Sequence, residues 1–149
     1  MIEIIFYDTE DGRCPIQEYL DSLESKLLAK TLRTIDLLEC NGRLLRGPYS
    51  EPLGDGIFEL RTKQGSDITR VLYFFFVGNK AVLTNGFTKK MQKTPKAEIE
   101  LAQKYKDDYE RRHQNFTAWR LSDYRNHSVN FFKVQTTNET ILQANSTSI

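Results

Sequence analysis

Apolar positions recur along this chain in more than one rhythm, and the change of rhythm divides it into elements. Residues 2–7 (Ile-Glu-Ile-Ile-Phe-Tyr) are β-branched and aromatic, which predicts a short strand. Asp11-Gly12 breaks that strand, and Pro15 suits the first turn of a helix running through Tyr19, Leu20 and Leu23. Leu27, Leu28, Thr31, Ile35 and Leu38 then repeat at three-to-four spacing, which predicts a second helix over 24–41. Asn41-Gly42 ends it, since both residues tolerate a left-handed backbone. Positions 43–56 hold Gly47-Pro48, Pro52, Gly54 and Gly56 and read as a loop.

From residue 57 the period becomes two. Ile57 to Lys63, Ile68 to Val77 and Lys80 to Phe87 read as three strands of an antiparallel meander, joined by turns at 64–67 and Gly78-Asn79. The middle strand is apolar on both faces and is expected at the centre, covered from both sides, with Phe74 and Phe76 buried. Thr94 and Pro95 fit the N-cap and first position of a last helix reaching about Arg112. The order predicts an α+β domain over 1–112: a twisted antiparallel sheet with two N-terminal helices packed on it and a helix after the last core strand. Residues 113–149 hold five Asn, five Thr, four Ser and three Gln and read as a polar, partly disordered C-terminal extension. Within it, Val129 to Val134 has the pattern of an edge strand. Its four Asn-x-Ser/Thr triplets are a by-product of that composition.

Composition narrows the class. The 149 residues are 39% hydrophobic and 11% aromatic, as in a globular domain rather than a disordered chain. No apolar run approaches the roughly 20 residues of a membrane span, and the first residues do not read as a signal peptide. Cys14 and Cys40 make no disulfide framework, so a reduced, cytoplasmic chain is expected. No metal-ligand cluster and no glycine-rich nucleotide fingerprint is visible, so no metal and no cofactor is expected. His113 and His127 both come late, and chemistry in residues 1–112 must use other groups.

The net charge of +1 hides a segregation. Positions 1–56 carry six basic and eleven acidic residues, whereas 57–96 carry eight basic residues against Glu59 and Asp67 alone. In a meander the start of the second strand lies beside the end of the first, and the third returns alongside. Arg61, Lys63, Arg70, Lys89, Lys90 and Lys93 then converge on one groove. Singly, each is an ordinary solvated edge residue. As a set they suit a phosphodiester backbone, because paired cations neutralise phosphates and Arg grips one bidentately. Phe87, near the end of its strand, suits base stacking as well as it suits core packing. Tyr73, in an apolar run, fits core packing better. Glu59 reads either as a general base or as a partner of Arg61.

Three ordered segments carry a family likeness. Gly56-Ile57-Phe58-Glu59-Leu60-Arg61, Thr69-Arg70-Val71-Leu72-Tyr73-Phe74-Phe75 and Gly86-Phe87-Thr88-Lys89-Lys90-Met91-Gln92-Lys93-Thr94-Pro95 resemble the phage-derived HigB-like toxins of the RelE/ParE superfamily. The resemblance covers about residues 1–112 and implies a RelE-like fold. It implies a type II toxin: a ribosome-dependent, metal-independent mRNA endonuclease that inhibits translation. A HigA-like antitoxin would be its partner, the ribosome and mRNA its targets, and operator DNA would be reached only through the antitoxin. Carried over by motif position, Arg61, Arg70, Lys89 and Lys90 would be catalytic, with Arg70, at the open mouth of its strand, gripping the scissile phosphate. Lys63, Phe87, Gln92 and Lys93 would bind RNA. Asn85 stands where the family usually has a histidine, which removes one acid or base. Two other readings stay open: a ParE-like inhibitor that docks on DNA gyrase, and a non-catalytic RNA-binding module.

Overall fold

The computed structural model describes residues 1–89 and 93–113. The chain divides into two compact units, Met1–Tyr109 and Glu110–Ile149. In the first, β1 (Glu3–Phe6) precedes α1 (Pro15–Asp21) and α2 (Ser25–Asn41), followed by a single 3₁₀ turn, Gly42–Leu44. The strands β2 (Ser50–Gly54), β3 (Ile57–Gln64), β4 (Asp67–Phe76) and β5 (Lys80–Thr88) come next. A third helix, α3, begins at residue 96, and residues 110–113 of the second unit are also helical.

The strands form one sheet in the order β1-β5-β4-β3-β2. β4 is therefore central, as its doubly apolar sequence requires. Val71, Leu72, Tyr73 and Phe74 are buried, and Phe76 is half-buried. Alternation along β4 supplies two cores. Leu60, Val71, Tyr73 and Leu83 face Ile16, Leu20, Ile35 and Leu38 of α1 and α2. Ile57, Leu72, Phe74 and Val82 face Ala102 and Tyr109 of α3, so the sheet is covered on both sides.

Two expectations need correction. The sheet is mixed, not antiparallel, because β1 pairs in parallel with β5, from Glu3↔Lys80 to Phe6↔Leu83. The α1–α2 hairpin carries the chain over one face before the meander begins, which leaves β1 beside the last strand. The stretch 43–56, with the composition of a loop, contains β2. Pro52 hides this strand from a reading by breakers. Outermost in the sheet, it can do without the N–H that proline lacks. The expectations for the extension lie outside the described residues from 114 onward.

α2 is pinned to the sheet by a square of threonines. Thr62 and Thr69 stand opposite each other on β3 and β4. Thr62 Oγ1 donates to Thr34 Oγ1 at 2.8 Å, and the Thr31 and Thr69 hydroxyls pair at 3.1 Å. Residues three apart on a helix and opposite residues on neighbouring strands are both separated by about 5 Å, so the two pairs match. At the other end Gly86 admits the Tyr19 ring, whose atoms a Cβ there would meet. The Tyr19 hydroxyl reaches Thr88 Oγ1 at 2.7 Å.

Candidate functional site

The register decides which of the predicted side chains converge. Arg61 pairs with Arg70, which pairs with Phe87, so these three form one row across β3, β4 and β5. One step along, Lys63 pairs with Ile68, and the Lys89 N–H donates to the Ile68 carbonyl at 3.1 Å. Lys63 and Lys89 thus flank Ile68 in a second row on the same face. Lys63, Lys89 and Lys93 are exposed. Lys90 and Gln92 lie outside the described residues.

Arg70 does not sit at the open mouth of its strand, where its place in the sequence suggests. It is fully buried, as is Glu59. Its Nη1 lies 3.3 Å from Glu59 Oε1 and donates to Thr94 Oγ1 at 2.9 Å. Thr94 Oγ1 in turn donates to Glu59 Oε2. A guanidinium taken from water to this depth needs a counter-charge and hydrogen-bond acceptors, and Glu59 with Thr94 supplies both. This also corrects the N-cap assignment. Thr94 spends its hydroxyl on the ion pair, and the first helical hydrogen bond of α3 runs from the Ile99 N–H to the Pro95 carbonyl at 3.3 Å.

Arg61 occupies the opposite situation. Its side chain is 28% exposed, with Nε 3.2 Å from Glu59 Oε1 and a terminal nitrogen 3.7 Å from the exposed carboxylate of Glu51. One buried oxygen of Glu59 therefore serves two guanidinium groups. That carboxylate is committed to three partners, which favours the pairing role for Glu59 over the general-base role. Asn85, in the histidine position, is buried and tied to α3. Its amide donates to Glu98 Oε2 at 3.0 Å and accepts from Thr84 Oγ1 at 2.8 Å. Phe87 is buried and packs with Leu72 and Phe74 in the α3-side core, which is the packing role rather than the stacking one. Tyr73 is buried, with its hydroxyl 2.5 Å from Ser50 Oγ.

The accessible part of this cationic face opens at the margin of the sheet. β2 covers β3 only as far as Ser50↔Leu60 and the bond from the Arg61 N–H to the Tyr49 carbonyl. Beyond that point a groove of about 980 Å³ opens along the edge of β3, lined by Arg61 and Lys63 of β3, Ile68 of β4, and Lys30, Arg33 and Leu37 of α2. Lys30 and Arg33 fall in the net-acidic first part of the chain, so charge summed by sequence block does not reveal them. Their three-residue spacing on the polar face of a helix was the available signal.

A profile of the family described as "Phage derived protein Gp49-like (DUF891)" matches residues 18–107. With β3, β4, β5 and most of α3 inside that span, the chain belongs to this phage-derived family. No curated protein matches it.

Proposed function

We propose that the protein is the toxin of a type II toxin–antitoxin pair, an endoribonuclease of the HigB/RelE kind that cuts mRNA on the translating ribosome. The observation that carries this reading is the convergence of Arg61, Lys63 and Lys89 on one sheet face, with Arg61 held by the buried carboxylate of Glu59. Membership of a phage-derived family is consistent with it.

In such a reaction the ribose 2′-hydroxyl attacks the adjacent phosphorus and the 5′-oxygen leaves. The 2′-proton must go to a base, and the leaving oxygen must gain one. Charge grows on the non-bridging oxygens between those events, and preorganised cations stabilise it without having to reorganise. Arg61 suits that role, because the buried Glu59 holds its Nε while the side chain still reaches solvent, its terminal nitrogen meeting only the exposed carboxylate of Glu51. Arg70, buried beside Arg61 in the same row, holds Glu59 in place. It is a positioning residue in this reading, whereas Arg61, Lys63 and Lys89 meet the phosphate. Neutralisation is assigned to a HigA-like antitoxin.

Primer extension on mRNA from cells expressing the chain, with translation running or blocked, tests the reading. Cuts within translated frames that vanish in Arg61→Ala are expected. Supercoiling defects without cuts would mean a gyrase inhibitor instead.

A further inference from the structure

The groove between α2 and β3 carries features that the cleavage chemistry does not use. Lys30 and Arg33 of α2 are exposed, and Arg61 and Lys63 of β3 line the same groove. Four cations thus flank the groove against the single carboxylate of Glu51, which is already engaged with Arg61. The lining also includes exposed apolar surface, with Tyr49 at 44% exposure and Leu37 at 36%. Folding normally buries aromatic and leucine side chains in such a position. Here the Tyr49 ring is left beside two cationic walls.

The walls are also fixed relative to each other. Thr34 and Thr62, bonded at 2.8 Å, line the same groove and tie α2 to β3 beneath it. The spacing between the two rows of cations therefore does not depend on a ligand. A volume of about 980 Å³ stands at the upper end of ordinary small-molecule pockets. It suits a segment of a polymer better than a metabolite.

We infer that this groove binds single-stranded RNA, with phosphates against Lys30, Arg33 and Lys63 and an unstacked base on Tyr49. Cations tracking a backbone beside an exposed ring are what sequence-tolerant single-strand binding needs. A duplex keeps its bases stacked and cannot use the ring. An acidic peptide would pair with the cations but leave Tyr49 and Leu37 without a role. Arg61 and Lys63 belong both to this groove and to the face proposed for cleavage, so one strand can pass from one to the other. The inference rests on the functional reading for the identity of the polymer, and it adds a track on α2 that the reading does not contain.

The test uses the full chain without ribosomes and a fluorescent 2′-O-methyl RNA oligonucleotide, which cannot supply the attacking hydroxyl. Binding is followed by anisotropy across a salt series. The Lys30→Glu/Arg33→Glu variant changes two exposed side chains, and circular dichroism checks its fold. It should bind about tenfold more weakly, with a salt slope shallower by about 1.4, the value for two lost phosphate contacts on a single strand. Tyr49→Ala should weaken binding by about tenfold with the slope unchanged, and Tyr49→Phe should restore it. Equal binding by wild type and the α2 double variant overturns the inference. So does equal affinity for the corresponding duplex, or a preference for a polyglutamate peptide. Cleavage in cells together with unaltered binding by the α2 variant sinks the groove and spares the functional reading. Groove-dependent binding without cleavage in cells does the reverse.

Discussion

Arg61 and Arg70 stand directly opposite each other on β3 and β4 and share one oxygen of Glu59, at 3.2 and 3.3 Å. Like charges facing across a ladder repel, and a buried guanidinium without a counter-ion is costlier still. Glu59 relieves both at once. It lies two residues before Arg61 on the same strand, which puts it on the same face. The pair therefore divides one carboxylate between a buried cation and one that reaches solvent.

Replacing Arg70 should be a fold mutation first. Arg70→Ala leaves Glu59 buried and opens a void, and should cost about 3–5 kcal/mol in a urea titration. Converting the pair together, Arg70→Met with Glu59→Leu, should recover most of that loss, since well-packed apolar replacements for buried pairs are often neutral or better. Recovery of stability without recovery of cleavage is the expected pattern. A stable, fully folded Arg70→Ala would overturn this account of the pair.

Arg61→Ala should behave differently. Glu59 keeps Arg70 and Thr94, so the melting temperature should change little. Cleavage should fall by a factor on the order of 10²–10³, the usual effect of losing one preorganised donor to a developing oxyanion. Arg61→Lys should restore only part of it, because an ammonium cannot reproduce the planar fork. Primer extension beside thermal melts separates the two effects.

Gly86→Ala should destabilise by about 1–3 kcal/mol, since the new methyl would overlap the body of the Tyr19 ring, which must move to admit it. Tyr19→Ala in the same chain should cancel much of the additional cost, although it is destabilising alone. A double-mutant cycle in urea reads the coupling; additive effects would show that the ring contact is not what selects glycine.

High pH should destabilise the protein through the phenols of Tyr73, which is buried, and Tyr19, which is half-buried. Burial raises the pKa of Tyr73 and of Tyr19 above the ordinary value of about 10, with the hydroxyl contacts to Ser50 and Thr88 pulling the other way. A raised folded pKa means that the native state holds its proton longer than the unfolded chain does. The stabilisation is complete below about pH 10 and is lost as pH climbs from there through the folded values. Urea titrations between about pH 8 and 11 should show stability falling at the alkaline end, and Tyr73→Phe should flatten that fall. An identical pH profile for Tyr73→Phe would remove Tyr73 from the explanation.

Elements with a strong period are legible in the sequence itself. β3, β4, β5 and α2 fall within about two residues of their predicted limits, because apolar alternation and the three-to-four repeat reflect which faces are buried. β2 is not legible, since its Pro52 and glycines carry turn chemistry and its position at the edge is a property of the whole sheet. The convergence of Arg61, Lys63, Arg70 and Lys89 follows from meander geometry. The burial of Arg70 does not, because arginine is normally exposed and the arrangement that admits it needs Thr94, 24 residues away. Lys30 and Arg33 escape for a related reason: a surface assembled from distant segments has no signature in local charge.

The threonine square beneath α2 has a consequence for how this domain tolerates change. An interface of leucines grips by shape, and a helix resting on it can slip or roll by a fraction of a turn at small cost. Hydroxyl pairs are directional and hold the helix in phase with the strands below. Valines in place of all four, Thr31, Thr34, Thr62 and Thr69, would fill nearly the same space and keep the core apolar, yet they would unlock that phase. The chain would fold as before while its two cationic walls lost their common alignment.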